Sequence, residues 1–323
     1  MIGGILGVDH VGIGVRDMEP MASFYREVLG FDIVLGTMPE EDHPALHGLL
    51  RAPRAVHSSM FLAQTGGSLK VSLFHAVEPV PRPIRSDQRY GDIGVAKITF
   101  EVADLDGFLA EKAARLALCS SPKSVTLAGG AGAGVAAPGT TYGFVYAKDP
   151  EGNLLEFVCP ADEETTPRAW GDTGPRCRSF GLAVTDLDRS LAFYTTAFGF
   201  DRLVVPPHSG FSGLVDEISG GSRTLVRSCV VATSRGDGML ELFEVTHPRG
   251  RSIPFGTQWG DFGYLQVCLS ARAEHDFART VAAEGLVPLL PLQTVEDPDH
   301  PLGFMYVRDS DGIPVEILLG FVS

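Results

Sequence analysis

Apolar and polar residues alternate strictly through His10-Val11-Gly12-Ile13-Gly14-Val15, as in a strand with one buried face. The period then lengthens. Met21, Phe24, Tyr25, Val28 and Leu29 recur at helical spacing, behind Asp17 as a candidate N-cap and ahead of Gly30 as a stop. Strand-like stretches follow at Ser58 to Ala63 and Leu69 to Phe74, and Asp149-Pro150-Glu151-Gly152 reads as a turn between two strands. The pairs Phe24-Tyr25 and Phe193-Tyr194 fall on helical stripes and read as core.

This pattern is written more than once. VGIGVRDMEPMASFYREVLGFD from Val11 matches FGLAVTDLDRSLAFYTTAFGFD from Phe180, an offset of 169 residues. The same offset carries Ser72-Leu73-Phe74 onto Glu241-Leu242-Phe243 and Tyr90-Gly91-Asp92 onto Trp259-Gly260-Asp261. Near the end the offset drops to 160, where GFVYAKDPEGNLLEF from Gly143 matches GFMYVRDSDGIPVEI from Gly303. The lost residues fall in the Gly/Ala tract Ala128 to Gly139, which reads as a loop. Each half divides again into strand, helix and three strands, giving an α+β array of four βαβββ modules near residues 8–79, 94–159, 178–248 and 262–319. Residues 1–159 and 177–323 are therefore expected as two tandem domains, with 160–176, rich in Pro, Thr and acidic residues, as linker.

Composition narrows the partners. With 26 basic against 40 acidic residues, the formal net charge of −14 repels phosphate backbones and anionic lipid, so neither nucleic acid nor membrane is an expected partner. No apolar run approaches the roughly 20 residues needed to cross a bilayer. The start MIGGILGVDH carries no basic n-region or small-residue cleavage site, and a cytoplasmic location is expected. Five scattered cysteines without a CxxC pair suit reduced thiols better than disulfides or a zinc knuckle. A phosphate-binding P-loop, a GxSxG elbow and an HExxH helix are all lacking from the sequence.

The strand–Asp–FY–LGF opening and the YxxDPxGNxxE ending resemble the vicinal oxygen chelate superfamily of glyoxalases, epimerases, extradiol dioxygenases and bleomycin resistance proteins. The resemblance covers nearly the whole chain. It implies two tandem glyoxalase-like domains whose curved mixed sheets enclose a cavity, with metal ligands from the first and last strands of paired modules. Carried across position by position, the first-strand residues are His10, Lys97, Ser179 and Gln266, and the last-strand residues are Ser72, Glu156, Glu241 and Glu316.

The chain departs from the family pattern here. An ammonium has no lone pair and a neutral hydroxyl binds weakly, so Lys97 and the serines are poor ligands and at most one metal site remains. If modules 1 and 4 pair, the preferred reading, His10, Gln266 and Glu316 form the site beside Ser72. The other cavity then holds Lys97 and Glu156, with Ser179 and Glu241, as a degenerate site in which the ammonium balances buried carboxylates. If modules 3 and 4 pair, Glu241 replaces His10 as third ligand. A histidine opening a strand is ordinarily a hydrogen-bonded structural residue, a Gln there can face water, and a Glu on a final strand normally faces solvent.

The resemblance implies one divalent metal ion, with Zn, Mn, Fe, Mg and Ni undistinguished, and a small-molecule substrate for a monomer or homodimer. A metal-dependent isomerase, epimerase or lyase working through an enediolate of a hydroxyketone or cyclitol-like substrate is expected, with Glu316 or Glu241 as base. An extradiol-type ring-cleavage dioxygenase and a metal-free binding or resistance protein are the alternatives.

Overall fold

The computed structural model describes residues 4–126, 141–160, 174–210, 213–272, 281–282, 285–295 and 302–320. The Gly/Ala tract, residues 161–173 of the linker and the expected helix of the fourth module lie outside the described residues.

Module 1 runs β1 (Ile5–Gly14), a helix (Met18–Glu27), β2 (Ile33–Asp42), β3 (Val56–Ala63) and β4 (Lys70–Glu78). Module 2 runs β5 (Gly94–Glu101), a helix (Leu105–Lys112), two short strands β6 (Ala117–Leu118) and β7 (Lys123–Thr126), then β8 (Thr141–Lys148) and β9 (Leu154–Pro160). Module 3 comprises β10 (Arg176–Ala183), a helix (Leu187–Phe198), β11 (Arg202–Gly210), β12 (Leu225–Ala232) and β13 (Met239–His247). Module 4 contributes β14 (Gly263–Ala271), β15 (Pro288–Val295), β16 (Leu302–Arg308) and β17 (Pro314–Leu319).

The two copies exchange modules. One sheet has the order β15-β16-β17-β14-β1-β4-β3-β2, with β1 antiparallel to β14 at its centre, so it joins module 1 to module 4. The other has the order β11-β12-β13-β10-β5-β9-β8-β6, with β10 antiparallel to β5, and joins module 2 to module 3. Each curved sheet therefore draws strands from both copies, and each cavity is completed by residues far apart in sequence. The connecting segments clasp one another, with Arg85 donating to the carbonyls of Arg251 and Ser252, and Arg251 donating to Asp92.

Strand alternation explains the layering. Val11 and Ile13 of β1 and Val15 just after it point into a core shared by both sheets, together with Met21, Phe24 and Tyr25 of the first helix. The opposite faces carry separate apolar clusters, one around Phe74 and Tyr306 and the other around Phe243 and Tyr146. Both Phe-Tyr pairs pack as expected, and each tyrosine also donates its hydroxyl to a turn aspartate, Tyr25 to Asp149 and Tyr194 to Asp309.

One local expectation differs. Asp17 stands at the N-cap with extended backbone but makes no capping bond, whereas Asp104 and Asp186 accept from the amides of Gly107 and Arg189. The third helical position after Asp17 is Pro20, which has no N–H to give. No helix among the described residues is long and apolar enough to cross a membrane.

Candidate functional site

On the first sheet, pairing of β1 with β14 sets Gly12 opposite Gln266 and His10 opposite Cys268, and pairing of β14 with β17 sets Cys268 opposite Glu316. Three candidate ligands from two distant modules thus converge. His10 Nε2 lies 3.2 Å from Glu316 Oε2, and the Gln266 amide donates to the same oxygen at 3.2 Å. Ser72 of β4 stands beside Gly12 in the parallel register. Gly12 is required for this: a Cβ there would occupy the space of the Gln266 amide.

Partners behind these groups hold them in place. A register shift in β1 between Val8 and His10 interrupts the alternation, and Asp9 meets its neighbour: Asp9 Oδ1 lies 2.9 Å from His10 Nδ1. Lys70 donates to the other Asp9 oxygen at 2.6 Å. The Trp259 indole donates to Gln266 Oε1 at 2.9 Å, and Phe61 packs edge-on against the His10 ring. Burial disfavours the charged imidazolium, but the hydrogen bonds to Asp9 and Glu316 outweigh it and push the His10 pKa up to about 9. Burial first, then the adjacent Glu316 charge, lifts the Tyr306 hydroxyl well above its ordinary value. Leu46, Leu49 and Leu50 pack with Phe74, Leu265 and Tyr306 over this face, and His10, Gln266 and Glu316 are all buried.

The equivalent place on the second sheet holds different chemistry. Lys97 Nζ sits 2.6 Å from Glu156 Oε2 and 2.9 Å from Glu241 Oε2. Thr99 and Tyr146 donate to Glu156 as well. Burial opposes the Lys97 charge, yet the two carboxylates hold its pKa above the ordinary lysine value. Glu156 is stabilised as carboxylate by Lys97 and its hydroxyl donors despite burial, whereas burial, together with the like charge of Glu156, raises Glu241. Gly181 plays the part of Gly12, since a Cβ there would run into the Lys97 side chain. Ser179 lines this same cavity.

Of the residues singled out by sequence, His10, Gln266 and Glu316 come together, and so do Lys97, Glu156 and Glu241. Glu241 is not beside Gln266 or Glu316, so the set Glu241–Gln266–Glu316 is not assembled; the reason is that β13 pairs with β10 and lies in the other sheet. Sequence reasoning missed Asp9, Lys70, Trp259 and Tyr306. A signal for two of them was in the repeat, which aligns Trp259 with Tyr90 and Tyr306 with Tyr146. Asp9, His10 and Cys268 also lie with ligand atoms within 4.8 Å of one another. A separate cleft of about 290 Å³ opens where the connecting segments meet, lined among others by Arg16, Leu49, Arg85, Trp259, Leu265 and Arg308.

The profile of the Glyoxalase/Bleomycin resistance protein/Dioxygenase superfamily matches residues 7–157 and again 176–317. The chain belongs to that superfamily. Members of the superfamily typically bind a divalent metal, and the site on the first sheet supplies imidazole, amide and carboxylate donors of the kind such an ion takes. No curated protein matches the chain. Among solved structures, one variant of glyoxalase I from Zea mays aligns with a TM-score of 0.56 at 16% identity, covering 97% of this chain and 93% of its own. A second variant of the same maize protein aligns with a TM-score of 0.53 at 16% identity, covering 96% and 91%. At this identity the likeness is one of fold.

Proposed function

We propose that this superfamily member is a metal-dependent isomerase, epimerase or lyase whose single working centre is built from His10, Gln266 and Glu316. The observation that carries the reading is the convergence of His10 and Gln266 on one oxygen of Glu316, with His10 oriented by Asp9 and Gln266 by Trp259. Asp9 takes the Nδ1 side of the ring, which leaves Nε2 to ligate, and Trp259 fixes the Gln266 amide. The alternative trio of Asp9, His10 and Cys268 fits a cation less well. Asp9 is committed to His10 and Lys70, and burial raises the Cys268 thiol well above its ordinary pKa, keeping it neutral.

A divalent cation held there supplies Lewis acidity toward two neighbouring oxygens of a small hydroxyketone or cyclitol-like substrate. The chain's own groups do the rest. Glu316 is the carboxylate placed to take a proton from carbon at Oε1 or Oε2 and return it. The apolar cover of Leu46, Leu49 and Leu50 excludes water from the exchange. The cleft of about 290 Å³ shares Leu49, Trp259 and Leu265 with this region, and its arginines suit an oxygen-rich substrate on approach. A reducing cytoplasm suits its five cysteines, none of which is paired.

Elemental analysis of protein purified without chelator tests the reading. One divalent ion per chain is expected, lost in His10→Ala and in Glu316→Ala and kept in Lys97→Ala. Deuterium uptake from solvent at the carbon next to a hydroxyketone carbonyl should follow the metal. Metal content unchanged by both ligand substitutions would reject the assignment.

A further inference from the structure

The cavity of the second sheet is left unused by that function, and its chemistry is its own. Lys97 fills the position of a cation, and its ammonium is locked between two carboxylates, so the site works without a metal. Glu156 is fully engaged, with Lys97 and Thr99 on one oxygen and Tyr146 on the other. Glu241 gives Lys97 one oxygen only. It is also the member of the trio most open to the cavity, 16% of its side chain being exposed against 2% for Lys97 and 10% for Glu156.

Charge counting then points to the occupant. His208 of β11 also lines the cavity and faces Glu241, its Nδ1 lying 3.1 Å from the Pro206 carbonyl and its Nε2 3.3 Å from Ser228 Oγ. Beside it, two carboxylates and one ammonium leave one negative charge at the floor. Arg178 also lines the cavity but is paired with Glu101 at 2.7 Å, so that couple is neutral. The walls are aromatic and aliphatic, with Tyr90, Tyr142, Phe144 and Tyr146 joined by valines of both modules. Two of these rings already face a cation, Lys97 Nζ lying 6.0 Å from the Tyr90 ring centre and 5.8 Å from that of Tyr146. The volume is about 140 Å³. A cavity of roughly 150 Å³ takes one benzene-sized ring.

We propose that this cavity is a second, metal-independent binding site for a small organic monocation, a primary or secondary ammonium on a single-ring apolar body. The ammonium pairs with the cavity-exposed side of Glu241 and the ring lies among Tyr90, Tyr142 and Phe144. An anion would add to the charge already there, and a neutral molecule would leave it unbalanced.

Titration calorimetry on the full chain at neutral pH, with benzylamine, benzyl alcohol and benzoate, separates the cases because the three share a ring and differ in charge. Benzylamine is expected to bind one per chain, at least tenfold more tightly than benzyl alcohol, with benzoate not binding. Glu241→Gln should weaken benzylamine at least tenfold. Val205→Trp, which fills the cavity from the edge strand β11, should abolish binding and stands in if the first variant fails to fold. His10→Ala should leave benzylamine affinity unchanged, which keeps this site distinct from the metal centre. Equal affinity for benzyl alcohol or benzoate, or benzylamine binding indifferent to either cavity substitution, overturns the proposal.

Discussion

Which ring nitrogen of a histidine is left to ligate is set by the hydrogen bond the other one makes, and here Asp9 makes that choice for His10. Asp9→Asn keeps the shape but removes the charge that fixes the Nδ1–H form. Metal affinity, measured by competition with a chelating dye, is expected to fall about 10- to 100-fold, the usual effect of losing such a partner. His10 itself was legible because strand alternation and the superfamily positions agree on it. Asp9 was not, because alternation sends consecutive side chains to opposite faces and only a bulge brings them together. Burial also governs two aspartates away from the site, pushing Asp149 and Asp309 from 3.8 up to about 6. Between those values the folded chain binds more protons than the unfolded one, so stability declines as pH rises through the window and returns on acidification. The midpoint of thermal unfolding should therefore climb between neutral pH and about pH 5. Asp149→Asn combined with Asp309→Asn should flatten that part of the profile, and an unchanged slope would show that other groups control it.

At the scale of elements, the repeat made strands and helices readable, since each pattern recurs and one copy corrects the other. What remained hidden depends on single backbone atoms. Asp17, Asp104 and Asp186 look alike as caps, but only the latter two face an N–H three residues on. Asp186→Ala is accordingly expected to cost about 1 kcal/mol in chemical denaturation, while Asp17→Ala should change stability by less than about half of that. Equal losses would mean that Asp17 acts through something other than a hydrogen bond to the helix. Gly12 and Gly181 were not legible as seats for a neighbouring side chain. Their purpose appears only when the neighbouring strand supplies Gln266 or Lys97 to lie across them.

Across the whole molecule the two cavities are variants of one design, and the differences are few enough to reverse. The repeat aligns His10 with Ser179, Gln266 with Lys97, Ser72 with Glu241 and Glu316 with Glu156. The carboxylate of the last strand and its tyrosine persist in both, Tyr146 donating to Glu156 and Tyr306 lying against Glu316. Sequence alone left open which modules share a sheet, because strand patterns are equally apolar under either pairing. The answer lies in the central β1–β14 and β5–β10 contacts, which join residues more than 70 positions apart. Once the pairing is fixed, the donor set of the second cavity differs from the proposed metal centre chiefly at two positions, the ammonium at Lys97 and the hydroxyl at Ser179. Lys97→Gln together with Ser179→His should restore imidazole, amide and carboxylate donors there, with Glu241 beside them. Removing the ammonium alone would strand two buried carboxylates and cost several kcal/mol, so a bound cation must also rescue the fold. The double variant is thus expected to hold two divalent ions per chain instead of one, and to melt at lower temperature in chelator than in excess metal by a wider margin than the parent protein. A folded double variant that holds no more metal than the parent protein would show that the ligand set alone does not make a metal centre and that Asp9 and its surroundings are needed as well.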